Sequence, residues 1–450
     1  MPLPNEAAIT LDTTTILVLA TVGLTLLLVI ARELRAVPAN LLVLMATAFL
    51  DMVGLFMVLP ILPFYVKALG EDGATVFGFH LQEGLLTGIV VSSFTIAQLL
   101  SAPWWGRCSD RWGRRPVLLI ALAASAAAFL LFGFAESLWV LVLSRLVQGA
   151  GGGTVGVIQA FVADAVPPDQ RTRALGWLSA ATNLGVAFGP VLGSGAVWLG
   201  TQDVWPTDGV QTLGRAAPGV FAALLCVVNV VFAWRYLPEP AGQRVKPKER
   251  QATPLAAAGR VLRNPRQPTS RLLLTYAIAI GAAQGVNPTL VLFLDKRHGI
   301  TETTIGWYFM YIGALSVFAR ILLLGRLVDR FGEARLSRLG VMTLALGLAA
   351  VPFAHSLPWL ALATALLPIG MALTFPPLTA MLTKIVLPTE RGLFMGLQQS
   401  FGGMARLVAP LAYGLAFDAL GDGAPFWLAG AIVASTLLLG AGLRGAVRQS

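Results

Sequence analysis

The sequence has few charged residues for its length, and this scarcity excludes an ordinary soluble protein. Asp, Glu, Lys and Arg make up 12% of its 450 residues, whereas 56% are hydrophobic. A soluble domain usually carries about 25% charged residues. The apolar residues gather in stretches of about twenty, which is the length an α-helix needs to cross ~30 Å of hydrocarbon. Because these stretches lack the alternating polarity of barrel strands, the sequence predicts an all-α integral membrane protein.

Cysteine, histidine and phosphate-binding loops are also scarce, which excludes several classes of function. The two cysteines, Cys108 and Cys226, lie far apart in sequence and suggest no disulfide or metal framework. The three histidines form no helical metal-ligand pair, and no Gly-rich, Lys-bearing phosphate loop is present. We therefore predict no metal site, no cofactor and no enzymatic activity. Without an ATP site, any active transport by this protein must be driven by an ion or solute gradient across the membrane.

Thirteen apolar windows are candidate membrane spans. They lie near 13–31, 39–66, 83–105, 116–135, 138–160, 174–200, 217–237, 272–294, 303–325, 338–354, 357–382, 392–416 and 425–443. Alternating their connections places most of the 32 Lys and Arg residues on one side, and the positive-inside rule makes that side cytoplasmic. The net charge of +10 is thereby explained without nucleic acid. We predict a multi-pass inner (cytoplasmic) membrane protein with a cytoplasmic C-terminus and an extracytoplasmic N-terminus.

The first window, 13–31, is predicted to be an extra helix before a twelve-helix core. Residues 1–15 carry Glu6 and Asp12 but no basic residue, unlike a secretory signal. An over-extended start, with translation beginning further in at Met45, is the alternative.

An internal duplication divides the chain into two similar halves. Gly106, Arg107, Asp110, Arg111 and Gly113 recur 219 residues later as Gly325, Arg326, Asp329, Arg330 and Gly332. Arg171, Gly176 and Pro190 recur 220 residues later as Arg391, Gly396 and Pro410. Two parallel six-helix repeats with a site at their interface are a transporter architecture. We predict an extra helix in 1–38, bundles in 39–237 and 271–450, and a cytoplasmic linker in 238–270.

The loop from Gly106 to Pro116 resembles the signature loop of the major facilitator superfamily, and in particular of its drug:proton antiporters related to tetracycline and multidrug exporters. The resemblance covers about residues 39–445 and implies the major facilitator fold. It implies a conformational latch that helps hold the outward-facing state. The predicted latch residues are Gly106, Asp110, Arg111, Gly113, Arg114 and Asp329. The plainer interpretation is a basic turn that only sets topology.

Two further motifs extend the resemblance. Arg145 lies inside an apolar helix, where a charge requires a partner or water, and the family's equivalent arginine is linked to proton coupling. A structural ion pair is the alternative. A second segment is similar to the family's antiporter motif, with small residues that permit close helix packing and a Gly-Pro kink. Its residues are Gly185, Gly189, Pro190 and Gly193. The alternative is a packing face with no bearing on transport direction.

Asp51 is the predicted proton site. It lies about eleven residues, or ~16 Å, into the first core helix. Burial favours the protonated, neutral form of a carboxyl group, and Arg145 is a candidate partner that would favour the charged form. Competition among proton, substrate and Arg145 for Asp51 would provide a physical basis for exchange. A structural pair without such chemistry is the alternative.

Other polar side chains in the spans are candidates for the substrate cavity. They are Gln98, Gln284, Asn287, Tyr308, Gln398 and Arg406. Many amides and few charges suit amphipathic solutes, although interhelical hydrogen bonding is the more common role for any one of them. We predict proton-coupled efflux of a hydrophobic or amphipathic small molecule by a monomer surrounded by membrane lipids. Because of Arg406, the alternative is an exporter or flippase of an organic anion or lipid, and a third possibility is a non-transporting membrane sensor.

Overall fold

The computed structural model describes residues 39–70, 74–76, 79–151, 154–166, 170–202, 210–239, 254–387 and 390–440. The predicted extra helix in 1–38 lies outside these residues. The helices of the first half are α1 (Ala39–Val58), α2 (Leu62–Leu69), α3 (Glu83–Trp112), α4 (Arg114–Gly133), α5 (Leu138–Gly151), α6 (Thr154–Ala165), α7 (Arg171–Gly200) and α8 (Val210–Tyr236). After a short helix α9 (Pro254–Arg263), the second half contains α10 (Pro268–Gly285), α11 (Asn287–His298), α12 (Ile305–Phe318), α13 (Gly325–Phe331), α14 (Glu333–Ala350), α15 (Leu357–Ile385), α16 (Arg391–Leu420) and α17 (Ala424–Gly440).

The all-α membrane fold predicted from composition is confirmed. Ten described segments are long and apolar enough to cross a membrane, and α16 and α17 bring the number of described segments to twelve. Several segments consist of two helices. Pro60 interrupts the first span between α1 and α2 because proline has no amide hydrogen to donate. A π-helical turn at Ala319–Leu324 joins α12 to α13.

A small β-hairpin contains the only strands in the described residues. Strand β1 (Ala74–Val76) pairs antiparallel with β2 (Phe79–Leu81), so that Ala74 faces Leu81. The hairpin lies between α2 and α3. It was not predicted because three-residue strands are too short to produce a periodic pattern.

The helices pack mainly within their own half of the chain. In the first half, α1 packs against α7 and α8, and α4 packs against α5 and α8. In the second, α14 packs against α15 and α17, and α10 packs against α16. The halves meet where α3 contacts α16 and where α7 contacts α12. Motion of one half against the other therefore acts on these two contacts.

The predicted linker contains α9, a helix that the sequence did not reveal. Ala257 and Val261 are buried in a core that also contains Leu272 and Leu378 of the second half. With Arg260 and Arg263 in its last turn, α9 is too short and too polar to register as a membrane span.

Candidate substrate cavity

A cavity with a volume of about 590 Å³ lies between the two halves. Its lining from the first half is Ala48, Asp51, Met52, Ile158, Gln159, Leu175, Leu178, Ser179, Thr182 and Val186, and from the second half Met395, Gly396 and Gln399. The lining residues on α7 and α16 lie toward the N-terminal ends of these helices, which begin at Arg171 and Arg391. We call the molecular surface at these helix starts, which also carries Arg107, Arg111 and Arg330, the basic face. The other end of the bundle is the opposite face.

Asp51 is the only charged residue among the described residues that line this cavity. Asp51 is 7% exposed, and one of its carboxylate oxygens accepts a hydrogen bond from the Thr154 hydroxyl at 2.9 Å. Thr154 is the first residue of α6, so two helices of the first half meet at this carboxylate. A single hydroxyl donor leaves the carboxylate with free acceptor sites, which a proton or a cationic group can use.

Arg145 is buried but does not meet Asp51. Arg145 is 1% exposed, and its Nε donates a hydrogen bond to the Ser144 hydroxyl at 3.5 Å. Its guanidinium carbon lies 5.2 Å from the centre of the Phe132 ring. Its Nη2 has no hydrogen-bond partner among the described residues.

A difference in depth accounts for this separation. Asp51 contacts Thr154, which lies nine residues after Arg145, or about 13 Å at helical rise. Phe132 lies near the end of α4 at the opposite face, which places Arg145 toward that face. The expectation that the two groups meet is therefore wrong for this state, because sequence position alone does not resolve differences of two turns in depth.

The predicted latch loop is not engaged with the described residues of the second half. Asp110 is 66% exposed on its side chain and forms an ion pair with Arg114, 2.9 Å away in the next turn of its own loop. Gly113, with a φ of 102°, forms the turn between α3 and α4. Arg111 and Asp329 are exposed. A Cβ added at Gly106 would have no described neighbour within 4 Å.

Glu239 holds this loop, and sequence reasoning did not find it. Its two carboxylate oxygens accept hydrogen bonds from the backbone amides of Arg114 and Arg115 at 2.6 and 3.0 Å. A carboxylate at a helix N-terminus satisfies otherwise unpaired amides and interacts favourably with the helix dipole. Its position after α8, 125 residues from Arg114, gives no local signal.

The glycines of the antiporter motif let α7 approach α1 closely. A Cβ added at Gly185 would lie 2.6 Å from the Phe49 carbonyl oxygen, and one at Gly193 would lie 2.2 Å from the Met57 carbonyl oxygen. Gly189 faces α1 in the same way, and the adjacent Pro190 is buried. The predicted packing face therefore exists, and its partner is the helix that carries Asp51.

Close backbone contacts join the halves at the opposite face. A Cβ at Gly84 of α3 would lie 2.6 Å from the Gly414 carbonyl oxygen of α16. The Ser194 hydroxyl donates to the Glu302 carbonyl at 2.8 Å and accepts from the Gly306 amide at 2.9 Å. The Ser194 hydroxyl therefore bridges the halves.

Four glycines near the basic face have no such close contacts. A Cβ at Gly106, Gly176, Gly325 or Gly396 would meet no atom of the described residues within 4 Å. The halves are in contact at the opposite face, whereas the cavity lining reaches Leu175 and Met395, each four residues after the start of its helix. The cavity therefore extends toward the basic face.

None of the six predicted cavity candidates lines this cavity. Gln398 is buried and donates to the Thr379 hydroxyl at 3.0 Å, whereas its neighbour Gln399 faces the cavity. Tyr308 packs on the core of the second half. Gln98 and Asn287 are half-buried and Gln284 is exposed, while Arg406 is half-buried within electrostatic reach of Tyr276.

Arg320 and Asn183 form a polar contact between the halves that sequence reasoning did not single out. An Nη1 donor of Arg320, in the π-helical turn, lies 3.0 Å from the Asn183 side-chain oxygen on α7. A single π-turn in a helix often marks a functional position. Asn183 follows the cavity-lining Thr182 directly.

Comparison with known proteins assigns this architecture to a family. The model of the Major Facilitator Superfamily matches residues 44–285 and again 272–448. The chain belongs to the Major Facilitator Superfamily. It is 26% identical over 380 residues to the class B tetracycline resistance protein of Escherichia coli, covering 84% of this chain and 88% of that protein. It is 24% identical over 404 residues to multidrug resistance protein 2 of Bacillus subtilis (strain 168), covering 89% of this chain and 93% of that protein.

A solved structure shares the fold. The crystal structure of the human organic anion transporter MFSD10 superposes with a TM-score of 0.64 and 23% identity, covering 89% of this chain and 99% of that chain. As a superfamily member of this architecture, the protein is a secondary active transporter and not an enzyme. The similarity to tetracycline and multidrug exporters agrees with the type of antiporter predicted from its motifs.

Proposed function

We propose that this transporter exports a hydrophobic or amphipathic small molecule in exchange for protons. The observation that carries the proposal is Asp51, a single titratable carboxylate on the wall of a cavity whose other described lining residues are uncharged. One ionisable group at an alternately exposed site can bind either a proton or a substrate, and this mutual exclusion is sufficient for exchange.

The remaining lining supports an amphipathic substrate. Apolar side chains from α1, α6, α7 and α16 make up most of the wall, and the polar groups other than Asp51 are neutral: Gln159, Ser179, Thr182 and Gln399. Ligand pockets of this kind bind by apolar contact and use a few polar groups for orientation. The named activities of the relatives, resistance to tetracycline and to multiple drugs, agree with such a cargo.

The contacts between the halves support a transport cycle. We assign the basic face to the cytoplasm, so that the described state is inward-facing, and we assign the two moving units to residues 39–237 and 271–450. Substrate enters from the cytoplasm and displaces the proton at Asp51. Opening of the opposite face then releases substrate and allows protonation of Asp51. Arg145, deeper in the first half, acts as an electrostatic modulator and not as a direct partner of Asp51 in this state.

Transport in proteoliposomes tests this function. Asp51→Asn keeps the size of the side chain and removes the titrating group. We expect a proven substrate to be transported without dependence on an imposed proton gradient, or not at all. Asp422→Asn, outside the cavity, is the matched control and should retain gradient-driven transport. Unchanged proton dependence in Asp51→Asn would contradict the proposal.

A second candidate function is export of an organic anion or an anionic lipid. Arg320 and Arg406 lie within spanning helices of the second half, and the structure shows no ion pair for either among the described residues. A guanidinium in a low-dielectric region favours a carboxylate or phosphate partner. The named substrate class of the human protein that shares this fold agrees with such a cargo.

A thermal stabilisation screen of the purified protein separates the two candidates. Lipophilic neutral or cationic compounds should stabilise the wild type and lose that effect in Asp51→Asn. If organic anions or anionic lipids stabilise it instead, and if Arg406→Gln or Arg320→Gln abolishes that response, the second candidate is correct. A response to sugars alone would contradict both.

A further inference from the structure

The carboxylate of Asp418 joins the two halves at the opposite face. Asp418 lies near the end of α16 in the second half, and its two oxygens accept hydrogen bonds from the backbone amides of Gly84 and Leu85 at 2.9 and 2.7 Å. These amides belong to the first turn of α3, in the first half. Amides in that turn have no partner within their own helix, and the dipole places partial positive charge there. Asp418 thus caps a helix of the other half.

Close backbone packing continues from this cap along α3 and α16. A Cβ on Gly414 would lie 2.2 Å from the Gly84 carbonyl oxygen, and one on Gly88 would lie 2.5 Å from the Pro410 carbonyl oxygen. Two turns further from the cap, the Ser92 hydroxyl donates to the Leu407 carbonyl at 2.8 Å. The cap can form only while the two backbones are this close.

The other end of the same helix pair carries the predicted latch, which is open. Asp110 lies near the end of α3 at the basic face and pairs with Arg114 of its own loop, while Arg391 begins α16 on that face. Asp110 thus lies near the C-terminal end of α3, at the face where α16 begins. Asp418 lies near the C-terminal end of α16, at the face where α3 begins. Of these two carboxylates, only Asp418, at the closed face, contacts the other half in the part of the chain that the structure describes.

We propose that Asp418 is a gating latch, reciprocal to Asp110, that stabilises the state closed at the opposite face. Opening that face breaks the cap on α3, and closing the basic face brings Asp110 toward the start of α16. Transport then alternates between two carboxylate caps at opposite ends of one helix pair. The Lys67–Asp295 pair also joins the halves, at 2.5 Å, but the lysine is 51% exposed, and such surface pairs contribute little.

Double electron–electron resonance between spin labels tests the proposal. Glu136→Cys and Ser356→Cys place one label in each half, on exposed loops that are equivalent in the repeat, in a chain whose Cys108 and Cys226 are replaced by alanine. Wild type should show mainly the shorter distance. Asp418→Ala should raise the ratio of long to short distances about tenfold, since a charge-assisted cap contributes enough to change an equilibrium by that factor.

Asp422→Asn is the matched control. Asp422 lies four residues away on the same face, but its partner is Arg297 of its own half, at 2.7 Å. It should leave the distance ratio unchanged. Asp418→Asn keeps one acceptor oxygen and should give a smaller shift in the same direction, which remains readable if the alanine variant does not fold.

The double variant Asp110→Ala/Asp418→Ala tests the reciprocity. Loss of both caps should bring the ratio back toward that of the wild type. An unchanged ratio in Asp418→Ala, or an equal shift in Asp422→Asn, would overturn the proposal. Since the distances are measured without substrate at one pH, failure of proton coupling at Asp51 would not affect this result.

Discussion

Gly193 offers a direct test of the close packing between α7 and α1. In Gly193→Ala, the new Cβ would lie 2.2 Å from the Met57 carbonyl oxygen and 2.9 Å from its carbonyl carbon. Ordinary contact begins near 3.4 Å. The contact is with backbone and not with the end of a flexible side chain, so the two helices must separate locally by about 1 Å.

The expected loss of stability in Gly193→Ala can be estimated by comparison with the same substitution at a neighbouring glycine. Overpacking of this kind costs about 1–3 kcal/mol, whereas replacing glycine by alanine within a helix contributes about 1 kcal/mol of stability. Gly195 lies two residues further along α7, and a Cβ added there would meet no atom of the described residues within 4 Å, so Gly195→Ala has the helix gain alone. The difference between the two variants isolates the clash, at about 1–3 kcal/mol.

Thermal unfolding of the two variants in detergent measures this difference. For a chain of 450 residues, 1 kcal/mol corresponds to about 1 °C, so Gly193→Ala should unfold about 1–3 °C below Gly195→Ala. Because α1 carries Asp51, Gly193→Ala should also lower proton-coupled transport, whereas Gly195→Ala should not. Equal unfolding temperatures and equal transport would refute the assignment of Gly193 to this contact.

Three further predictions follow from individual contacts. Ser194→Ala removes two hydrogen bonds between the halves. At about 0.5 kcal/mol for each bond, the loss should raise the long-to-short distance ratio at the opposite face about fivefold, and an unchanged ratio would contradict this bridge. Gln399→Ala should weaken substrate binding without loss of stability, whereas Gln398→Ala should lower the unfolding temperature and spare binding, and the opposite result would show that the faces are reversed. Arg297 lowers the pKa of Asp422, so wild type should be more stable than Asp422→Asn above about pH 4. This difference in stability should vanish as the pH falls through the lowered pKa of Asp422, and a difference that persists in acid would exclude this pair as its cause.

The direction of a side chain could not be predicted from its depth along a span. Gln398 and Gln399 are adjacent, so both satisfy the same depth criterion, but successive helical residues differ by about 100° in direction. One bonds to Thr379 inside the second half and the other faces the cavity. The tilt of α16 against its neighbours decides which is which, and that tilt depends on residues throughout both halves.

Contacts between distant segments were beyond local reasoning. Thr154, Glu239 and Asp418 each bond to residues more than one hundred positions away, and none stands in a motif. Their polar groups are ordinary in type and spacing. Only the approach of the helices gives each of them a partner.

Hydrophobic run length, basic loops and the recurring glycines were sufficient to predict a duplicated helical transporter, because a bilayer imposes length and polarity directly on the chain. The same patterns singled out Asp51 as a candidate site, since a carboxylate in an apolar span is costly and rare. Tertiary structure alone decided that Asp51 bonds to Thr154 and not to Arg145, and that the described state is closed at the opposite face. Those outcomes depend on how two halves of similar sequence pack against each other, and a small difference in free energy selects which end of α3 and α16 is in contact.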